Sequence, residues 1–217
     1  MDKAKVVFFD LDGVLIDTEP LYSRFWIEAM KTAGHSMSYE DSLKMRSLDR
    51  ELARAFLEER YGEKDYDAIR EKRKSLMEAY RLKNPIRTKK GAKEILEKLD
   101  EEGTDWYIVT ASPLSRIKRY SEDTGLYFDE DKVISTKSVS RGKPYPDVYL
   151  KACEIAGVDA KEAVAVEDSP NGVRSAKAAG FQTIFIPDLS GPDEEDMRYC
   201  DHVYEELWDI WERYLRG

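Results

Sequence analysis

The chain has 217 residues, of which 35 are Lys or Arg and 44 are Asp or Glu, so its formal net charge is −9 at pH 7. This balance argues against nucleic acid as a partner, because binding to phosphate backbones requires a basic surface. Hydrophobic residues make up 41% of the chain, which is enough to form a hydrophobic core and is atypical of a disordered protein.

The first predicted element is a strand at residues 6–9, whose four consecutive apolar residues indicate burial on both faces. The segment that follows, from about residue 20 to about residue 83, shows only helical patterns. A first helix is predicted to end at Gly34, and Ser38 with Asp41 resembles a capping box. Two further helices are predicted, over residues 48–61 and from 66 to about 82.

From about residue 89 the predicted elements alternate between helices and strands. The predicted helices cover residues 89–102, 113–124, 146–156, 170–179 and 203–215. The predicted strands cover residues 106–109, 133–134, 164–166 and 183–186. Such alternation predicts an α/β fold with a doubly wound, Rossmann-like parallel sheet. We expect residues 1–18 and 84–217 to form this core domain, and residues 19–83 to form an inserted all-α helical cap domain.

Polar residues follow the predicted strands directly, at the positions where a doubly wound sheet binds its ligands. They are Asp10 and Asp12 after the first strand, Thr110, Ala111 and Ser112 after the second, Lys143 before a later helix, and Glu167 and Asp168 after the fourth. Four carboxylates, one cation and several hydroxyls are therefore expected to meet at one edge of the sheet.

Four motifs at these positions carry a resemblance to a known family. They are Asp10-Leu11-Asp12-Gly13-Val14-Leu15, Thr110-Ala111-Ser112, Gly142-Lys143-Pro144 and Glu167-Asp168-Ser169-Pro170-Asn171-Gly172. In order and spacing they resemble the haloacid dehalogenase superfamily, and most of all its phosphatase and β-phosphoglucomutase branch, which has a helical cap inserted after the first motif. The dehalogenases themselves lack the second aspartate of that motif, which is Asp12 here.

The resemblance gives the two aspartates of the first motif distinct chemical roles. Asp10 would attack phosphorus and form an aspartyl-phosphate, although a strand-end aspartate can also simply cap a helix. Asp12 would protonate the leaving alkoxide and later take a proton from water, or it could only form the turn beside Gly13.

A phosphate ester next to four carboxylates requires a cation, and oxygen ligands favour Mg²⁺ over zinc. By resemblance the ligands would be a side-chain oxygen of Asp10, the backbone carbonyl of Asp12, and Asp168. Glu167 would be either a direct ligand or a neighbour of one, and Glu167 with Asp168 could instead only favour a helix N-terminus.

The remaining core residues would bind the phosphoryl group. Lys143 matches the family lysine that stabilises this group and the aspartyl-phosphate. Thr110 and the Ala111 amide would hold phosphate oxygens at the start of the next helix, although Thr110 could be a plain cap. Ser112 stands where the family often has Asn, in a position that contacts the leaving group.

Cap residues are expected to select the substrate. Arg50 lies in a segment that matches the specificity loop of β-phosphoglucomutase, and Lys74 falls near a cap lysine of that enzyme, so the two would bind a second anionic group. Both could equally belong to a solvated helix face. Tyr22 replaces a mutase histidine, Ser47 replaces its loop glycine, and Trp26, which also matches a mutase position, is more typical of a core.

These features predict a Mg²⁺-dependent phosphatase that hydrolyses small phosphorylated metabolites, with sugar phosphates as the expected substrates. β-Phosphoglucomutase is the alternative enzyme, and a binding relative without turnover is the non-enzymatic alternative. No apolar run approaches the roughly 18 residues needed to cross a bilayer, no secretory signal is recognisable, and Cys153 and Cys200 show no disulfide or zinc spacing. We therefore expect a cytoplasmic monomer or weak dimer that has no membrane partner.

Overall fold

The structure is a computed structural model that describes residues 4–48 and 50–216. Its described strands form one six-stranded sheet, in which neighbouring strands pair in parallel in the order β3-β2-β1-β4-β5-β6. The strands are β1 (Val6–Phe9), β2 (Asp105–Thr110), β3 (Val133–Ser135), β4 (Ala163–Glu167), β5 (Gln182–Phe185) and β6 (His202–Val203). The predicted α/β fold with a parallel sheet is confirmed.

The helices connect and follow these strands. They are α1 (Glu19–Thr32), α2 (Tyr39–Ser47), α3 (Arg50–Tyr61), α4 (Tyr66–Arg81), α5 (Ala92–Glu101), α6 (Leu114–Thr124), α7 (Asp147–Ala156), α8 (Pro170–Ala178) and α9 (Leu207–Ile210), which continues into a π-helical turn, Trp211–Leu215. Within the described part of the chain, no helix combines the length and the apolar composition that a membrane crossing requires.

The first strand lies at the centre of the sheet. Phe9 pairs with Ile108 of β2 on one side and with Val166 of β4 on the other. All four residues of β1 are buried, as its unbroken apolar sequence predicts. Because β1, β2 and β4 run in parallel, the residues that follow them lie at the same edge of the sheet.

The chain divides into two compact units, one formed by the residues up to Asp17 and from Ile86 onwards, the other by Thr18–Pro85. The first unit contains the sheet and has a core that includes Phe8, Tyr149 and Phe181. The second unit contains α1 to α4 and has a separate core, which includes Trp26.

The two segments that border the inserted residues hydrogen-bond to each other within the first unit. The Asp17 amide donates to the Arg87 carbonyl, and the Lys89 amide donates to the Leu15 carbonyl, each at 2.9 Å. Ile16 and Thr88 form an antiparallel bridge between these two contacts. The chain therefore leaves and re-enters this unit at adjacent positions.

The predicted helix over residues 203–215 is wrong at its start. Val203 belongs to β6 and pairs with Phe185 of β5, and the helix begins only at Leu207. Glu206 and Asp209 form a capping box, in which each side chain accepts a bond from the other residue's backbone amide. This cap fixes the first helical residue and leaves the preceding residues extended.

Two local predictions in the helical unit need correction. The helix predicted from residue 48 begins at Arg50, because the backbone of Leu48 is extended. Only half of the predicted capping box is present: Ser38 Oγ accepts from the Asp41 amide at 3.0 Å. The Ser38 amide donates instead to the Tyr61 hydroxyl at 3.4 Å, and this hydroxyl donates to the Asp41 carboxylate.

Candidate active site

The loop that follows β1 holds the two aspartates of the first motif. The Asp10 amide donates to the Val166 carbonyl of β4 at 2.9 Å, so the pairing between β1 and β4 extends to Asp10, where the turn begins. Gly13 has a φ of 88°, a conformation that residues with a side chain rarely adopt. Its amide donates to the Ile16 carbonyl and closes the turn tightly around Asp12.

Lys143 links three adjacent strands through its ammonium group. Its Nζ donates to Asp10 Oδ1 at 2.5 Å, to Glu167 Oε1 at 2.6 Å and to the Val109 carbonyl at 2.9 Å. The lysine side chain is 9% exposed, so these bonds form largely out of solvent. The structure thus brings together the predicted nucleophile, the predicted lysine and Glu167.

Burial and crowding shift the pKa values of this cluster. Burial raises the pKa of the Asp10 carboxyl to about 8, and the charges of Glu167 and Asp12 contribute in the same direction, whereas Lys143 opposes them. Burial acts to lower the pKa of Lys143, but Asp10 and Glu167 together raise it above its ordinary value. The cluster therefore retains a fixed positive charge and holds more carboxylate groups than that charge can neutralise.

Three of these carboxylates could hold a metal ion. Asp10, Glu167 and Asp168 are buried, and each offers an oxygen within 4.8 Å of the others. A donor set of carboxylate oxygens fits a hard cation such as Mg²⁺. The surplus negative charge around Asp10 favours a cation at the same position. The residues present therefore fit the metal that the motifs imply.

Asp12 is held by two hydroxyl groups, one from the loop before α6 and one from α6 itself. Ser112 Oγ donates to Asp12 Oδ2 at 2.6 Å, and the Tyr120 hydroxyl donates to Asp12 Oδ1 at 2.9 Å. Each carboxylate oxygen thus has its own donor. Ser112 was predicted to contact the substrate, and in this structure its hydroxyl contacts Asp12.

Thr110 and Ala111 occupy the end of β2 and the loop before α6. Thr110 is buried, and its Oγ1 accepts a bond from the Ser112 amide at 3.0 Å. Ala111 is exposed. Because β2 ends at Thr110 and α6 begins at Leu114, both residues precede the helix rather than lying in its first turn.

The two predicted cap cations lie in the helical unit. Arg50, at the start of α3, donates to Asp67 Oδ1 at 2.7 Å, and Lys74 of α4 donates to Glu71 Oε1 at 2.5 Å. Arg50 is exposed, with 62% of its side chain accessible. Asp49, which precedes Arg50 in the predicted specificity loop, lies outside the described residues.

The core contains functional candidates that the motifs did not indicate. They include Tyr120, Arg116, whose Nη1 donates to Ser112 Oγ at 3.2 Å, and Tyr149, whose hydroxyl donates to Glu167 Oε1 at 2.6 Å. Arg116 and Tyr120 lie four residues apart on α6, so a common helix face could have been predicted for these two. Tyr149 offers no such signal, because its sequence position is that of an ordinary core residue.

In the helical unit, Arg73 is a buried cation. Its guanidinium lies 4.7 Å from the ring centre of Tyr22 and 5.1 Å from that of Trp26. Trp26 is buried in the core of this unit, which also contains Met30 and Leu57. The sequence motif pointed to Lys74, which is paired with Glu71, and missed its buried neighbour Arg73.

Comparison with known proteins places these features in a family. A family model described as haloacid dehalogenase-like hydrolase matches residues 4–180. Hexitol phosphatase B of Escherichia coli (strain K12) is 31% identical over 216 residues, covering 96% of this chain and 95% of its own. A phosphorylated carbohydrates phosphatase of Thermotoga maritima is 29% identical over 190 residues, covering 83% of this chain and 84% of its own.

A solved structure agrees with this result. The crystal structure of a HAD hydrolase, family IA, variant 3, from Entamoeba histolytica superposes with a TM-score of 0.80 and 27% identity, and the match covers 94% of each chain. The region matched by the family model includes Asp10, Lys143 and Glu167. The chain belongs to the haloacid dehalogenase-like hydrolase family.

Proposed function

We propose that this protein is a Mg²⁺-dependent phosphatase that hydrolyses small phosphorylated metabolites through an aspartyl-phosphate on Asp10. The observation that carries the proposal is the bond between Lys143 Nζ and Asp10 Oδ1 inside a buried group of carboxylates. A structural ion pair needs one carboxylate for each cation, whereas this group holds several carboxylates around one lysine. Such an excess is typical of a site that binds a cation together with an anionic substrate.

In the first step, a carboxylate oxygen of Asp10 attacks the phosphorus atom, and the bond from phosphorus to the ester oxygen breaks. Asp12, held by Ser112 and Tyr120, gives its proton to the departing alkoxide. Lys143 stabilises the negative charge of the phosphoryl group as it is transferred. The products of this step are the free alcohol and the phosphorylated Asp10.

In the second step, Asp12 takes a proton from water, and the resulting hydroxide attacks phosphorus and releases inorganic phosphate from Asp10. When Mg²⁺ is bound, it shields the carboxylates from the phosphate and polarises the phosphoryl oxygens. Asp10 and Asp168 would hold it, and Glu167 lies beside them in the same group of carboxylates. The second step regenerates the carboxylate of Asp10 and the proton on Asp12.

The names of two relatives support a carbohydrate phosphate as the substrate. The Escherichia coli relative is named for hexitol phosphates, and the Thermotoga maritima relative is named for phosphorylated carbohydrates. We place substrate selection in the helical unit. There Arg50 and Lys74 carry positive charge, and a substrate anion could replace Asp67 and Glu71 as their partners.

Phosphate release from a panel of sugar and sugar-alcohol phosphates, with Mg²⁺ or with EDTA, tests the proposal. We expect release that requires Mg²⁺ and falls at least about 10³-fold in Asp10→Asn. Asp105→Asn is the matched control, because Asp105 is exposed at the opposite end of a neighbouring strand.

Two other outcomes would point to other functions. Conversion of β-glucose 1-phosphate to glucose 6-phosphate, with a trace of the bisphosphate and little phosphate release, would identify a mutase. Binding of phosphate esters without any turnover would identify a binding protein. Undiminished turnover in Asp10→Asn would contradict the aspartyl-phosphate mechanism.

A further inference from the structure

Tyr149 lies on α7, and the mechanism above does not use it. It is fully buried, and its ring packs against Phe181 at a centroid distance of 5.1 Å. The hydroxyl at the end of this ring donates to Glu167 Oε1 at 2.6 Å. A tyrosine that needed only to fill the core could be a phenylalanine, so the buried hydroxyl requires an explanation.

The Glu167 carboxylate, which accepts this hydrogen bond, is contacted by other residues on two sides. Oε1 accepts from the Tyr149 hydroxyl and from Lys143 Nζ, each at 2.6 Å. The other side of the carboxylate lies against Gly172, where a Cβ atom would overlap it. Oε2 is buried and has no hydrogen-bond partner among the described residues. The orientation of Glu167 is therefore set by the tyrosine, the lysine and the glycine together.

The same tyrosine also contacts the lysine directly. Lys143 Nζ lies 5.4 Å from the centre of the Tyr149 ring, within the range of a cation–π interaction. Lys143 in turn donates to Asp10 Oδ1 at 2.5 Å. A continuous series of contacts thus runs from the hydroxyl of Tyr149 through Glu167 and Lys143 to the nucleophile.

We propose that Tyr149 is a positioning residue, which fixes the Glu167 carboxylate so that Glu167 holds Lys143 against the phosphoryl group on Asp10. The proposal rests on the proposed phosphatase function and assigns Glu167 to the lysine rather than to direct metal ligation. Loss of the hydroxyl removes one of the two donors to Oε1 and allows the carboxylate to rotate. Small displacements of a charged group in a site of this kind reduce the rate of the chemical step.

The test uses the full chain with Tyr149→Phe, Glu167→Gln and the double variant. We expect Tyr149→Phe to lower kcat about tenfold, the cost of one hydrogen bond to a charged group, with KM changed less than about threefold. In the Glu167→Gln background, Tyr149→Phe should cost almost nothing more, because its effect passes through Glu167. Calorimetry should show the same Mg²⁺ affinity for Tyr149→Phe as for the wild type.

Tyr127→Phe is the matched control, because this tyrosine is 81% exposed, and we expect wild-type kinetics from it. Circular dichroism and urea unfolding establish that each variant is folded at the assay temperature. If Tyr149→Phe lowers kcat equally in both backgrounds, the residue has only a packing role and the proposal is wrong.

Weaker Mg²⁺ binding in Tyr149→Phe, with normal kcat at saturating Mg²⁺, would also overturn the proposal, because Glu167 would then serve the metal. A wild-type chain that releases phosphate while Tyr149→Phe matches it in every parameter contradicts the positioning role alone. A wild-type chain without turnover on the whole panel contradicts the proposed function, and the positioning role with it.

Discussion

Asp10 in the sheet unit and Asp41 in the helical unit are both buried aspartates, yet their surroundings shift their pKa values in opposite directions. Asp41 accepts from the Tyr61 hydroxyl at 2.6 Å and from Arg60 and Lys44 at 3.0 Å each. These bonds, with that of Tyr61 as the largest cause, hold the pKa of Asp41 well below its usual range. Asp10 shares Lys143 with Glu167, and burial raises its pKa to about 8.

The difference shows that burial alone does not decide the direction in which the pKa of a carboxyl group is shifted. What matters is the ratio of donors to carboxylates around each site. Asp41 receives two cations and a hydroxyl, which is the arrangement expected of a group that stabilises the fold. Asp10 competes with Glu167 for one cation, and such an imbalance persists where a ligand completes the charge.

The largest expected effect comes from removing the shared cation. In Lys143→Met, kcat/KM should fall by at least about 10³-fold, which corresponds to about 4 kcal/mol, because the phosphoryl charge loses its protein cation. Phosphate release under substrate-limiting conditions measures the effect. Lys137→Met is the control, since Lys137 is exposed and lies, like Lys143, in the connection between β3 and α7. Similar kinetics in the two variants would remove Lys143 from the mechanism.

In the helical unit, the expected effect is on stability rather than on catalysis. Asp41→Asn should lower the free energy of unfolding by about 2–3 kcal/mol, because it removes the charged acceptor of three hydrogen bonds. Urea unfolding at pH 7 measures the change. Asp65→Asn is a comparison variant, because Asp65 caps α4 with one bond and has a more exposed position. An equal loss in both variants would show that the bonds to Asp41 contribute no more to stability than the single capping bond of Asp65.

The pH dependence of stability sharpens the same comparison. The unfolded chain protonates Asp41 near its ordinary pKa of about 4, whereas the folded chain keeps the carboxylate charged to lower pH. The stability that this residue contributes is therefore complete above about pH 5 and is lost as the pH falls toward the folded-state pKa. The wild type should lose more stability than Asp41→Asn between about pH 5 and pH 2, and parallel curves would contradict the assignment.

A smaller effect is expected from filling the space beside Glu167. In Gly172→Ala the new Cβ would overlap the Glu167 carboxylate, which should cost about 2 kcal/mol of stability and lower kcat. Gly191→Ala is the control, since its Cβ would meet no atom within 4 Å. Thermal unfolding and phosphate release should separate the two alanine variants. Indistinguishable behaviour would mean that the carboxylate moves aside without cost.

The smallest effect is expected at the second aspartate. Tyr120→Phe removes the donor to Asp12 Oδ1 while Ser112 still holds Oδ2, so kcat should fall about five- to tenfold, near 1 kcal/mol. Steady-state kinetics against Tyr127→Phe measure it. A kcat equal to that of the control would show that Ser112 alone is sufficient to hold Asp12.

Sequence alone could predict the strand ends that carry the site. All of β1 and the first four residues of β4 are apolar without interruption, so the acidic residues that follow these apolar runs mark the edge of the sheet. The family resemblance then assigned roles to Asp10, Asp12 and Lys143, and the structure brings Lys143 into contact with Asp10. Which residues surround them depends on how α6 and α7 pack, and an apolar helix face does not reveal which tyrosine hydroxyl it delivers to a carboxylate.

The sequence did not predict β6 or the side chains that bind Asp41, and each omission has a physical reason. Strand β6 has two residues, too few for a periodic pattern, and it exists because His202 and Val203 pair with β5. The capping role of Asp41 was predicted from its spacing to Ser38, but its carboxylate accepts instead from Lys44 and from two side chains distant in sequence, Arg60 and Tyr61. Long-range donors are invisible to a pattern that spans four residues.

The bridge between Ile16 and Thr88 has a consequence for protein engineering. Because the Asp17–Arg87 and Lys89–Leu15 bonds already align the two border segments, the inserted region is attached much as a loop is attached to a β-hairpin. A short reverse turn in place of Thr18–Pro85 would meet ends that are already in register. We expect the same junction to accept a helical module from another sequence, which would allow the inserted region to be replaced while the sheet unit is kept.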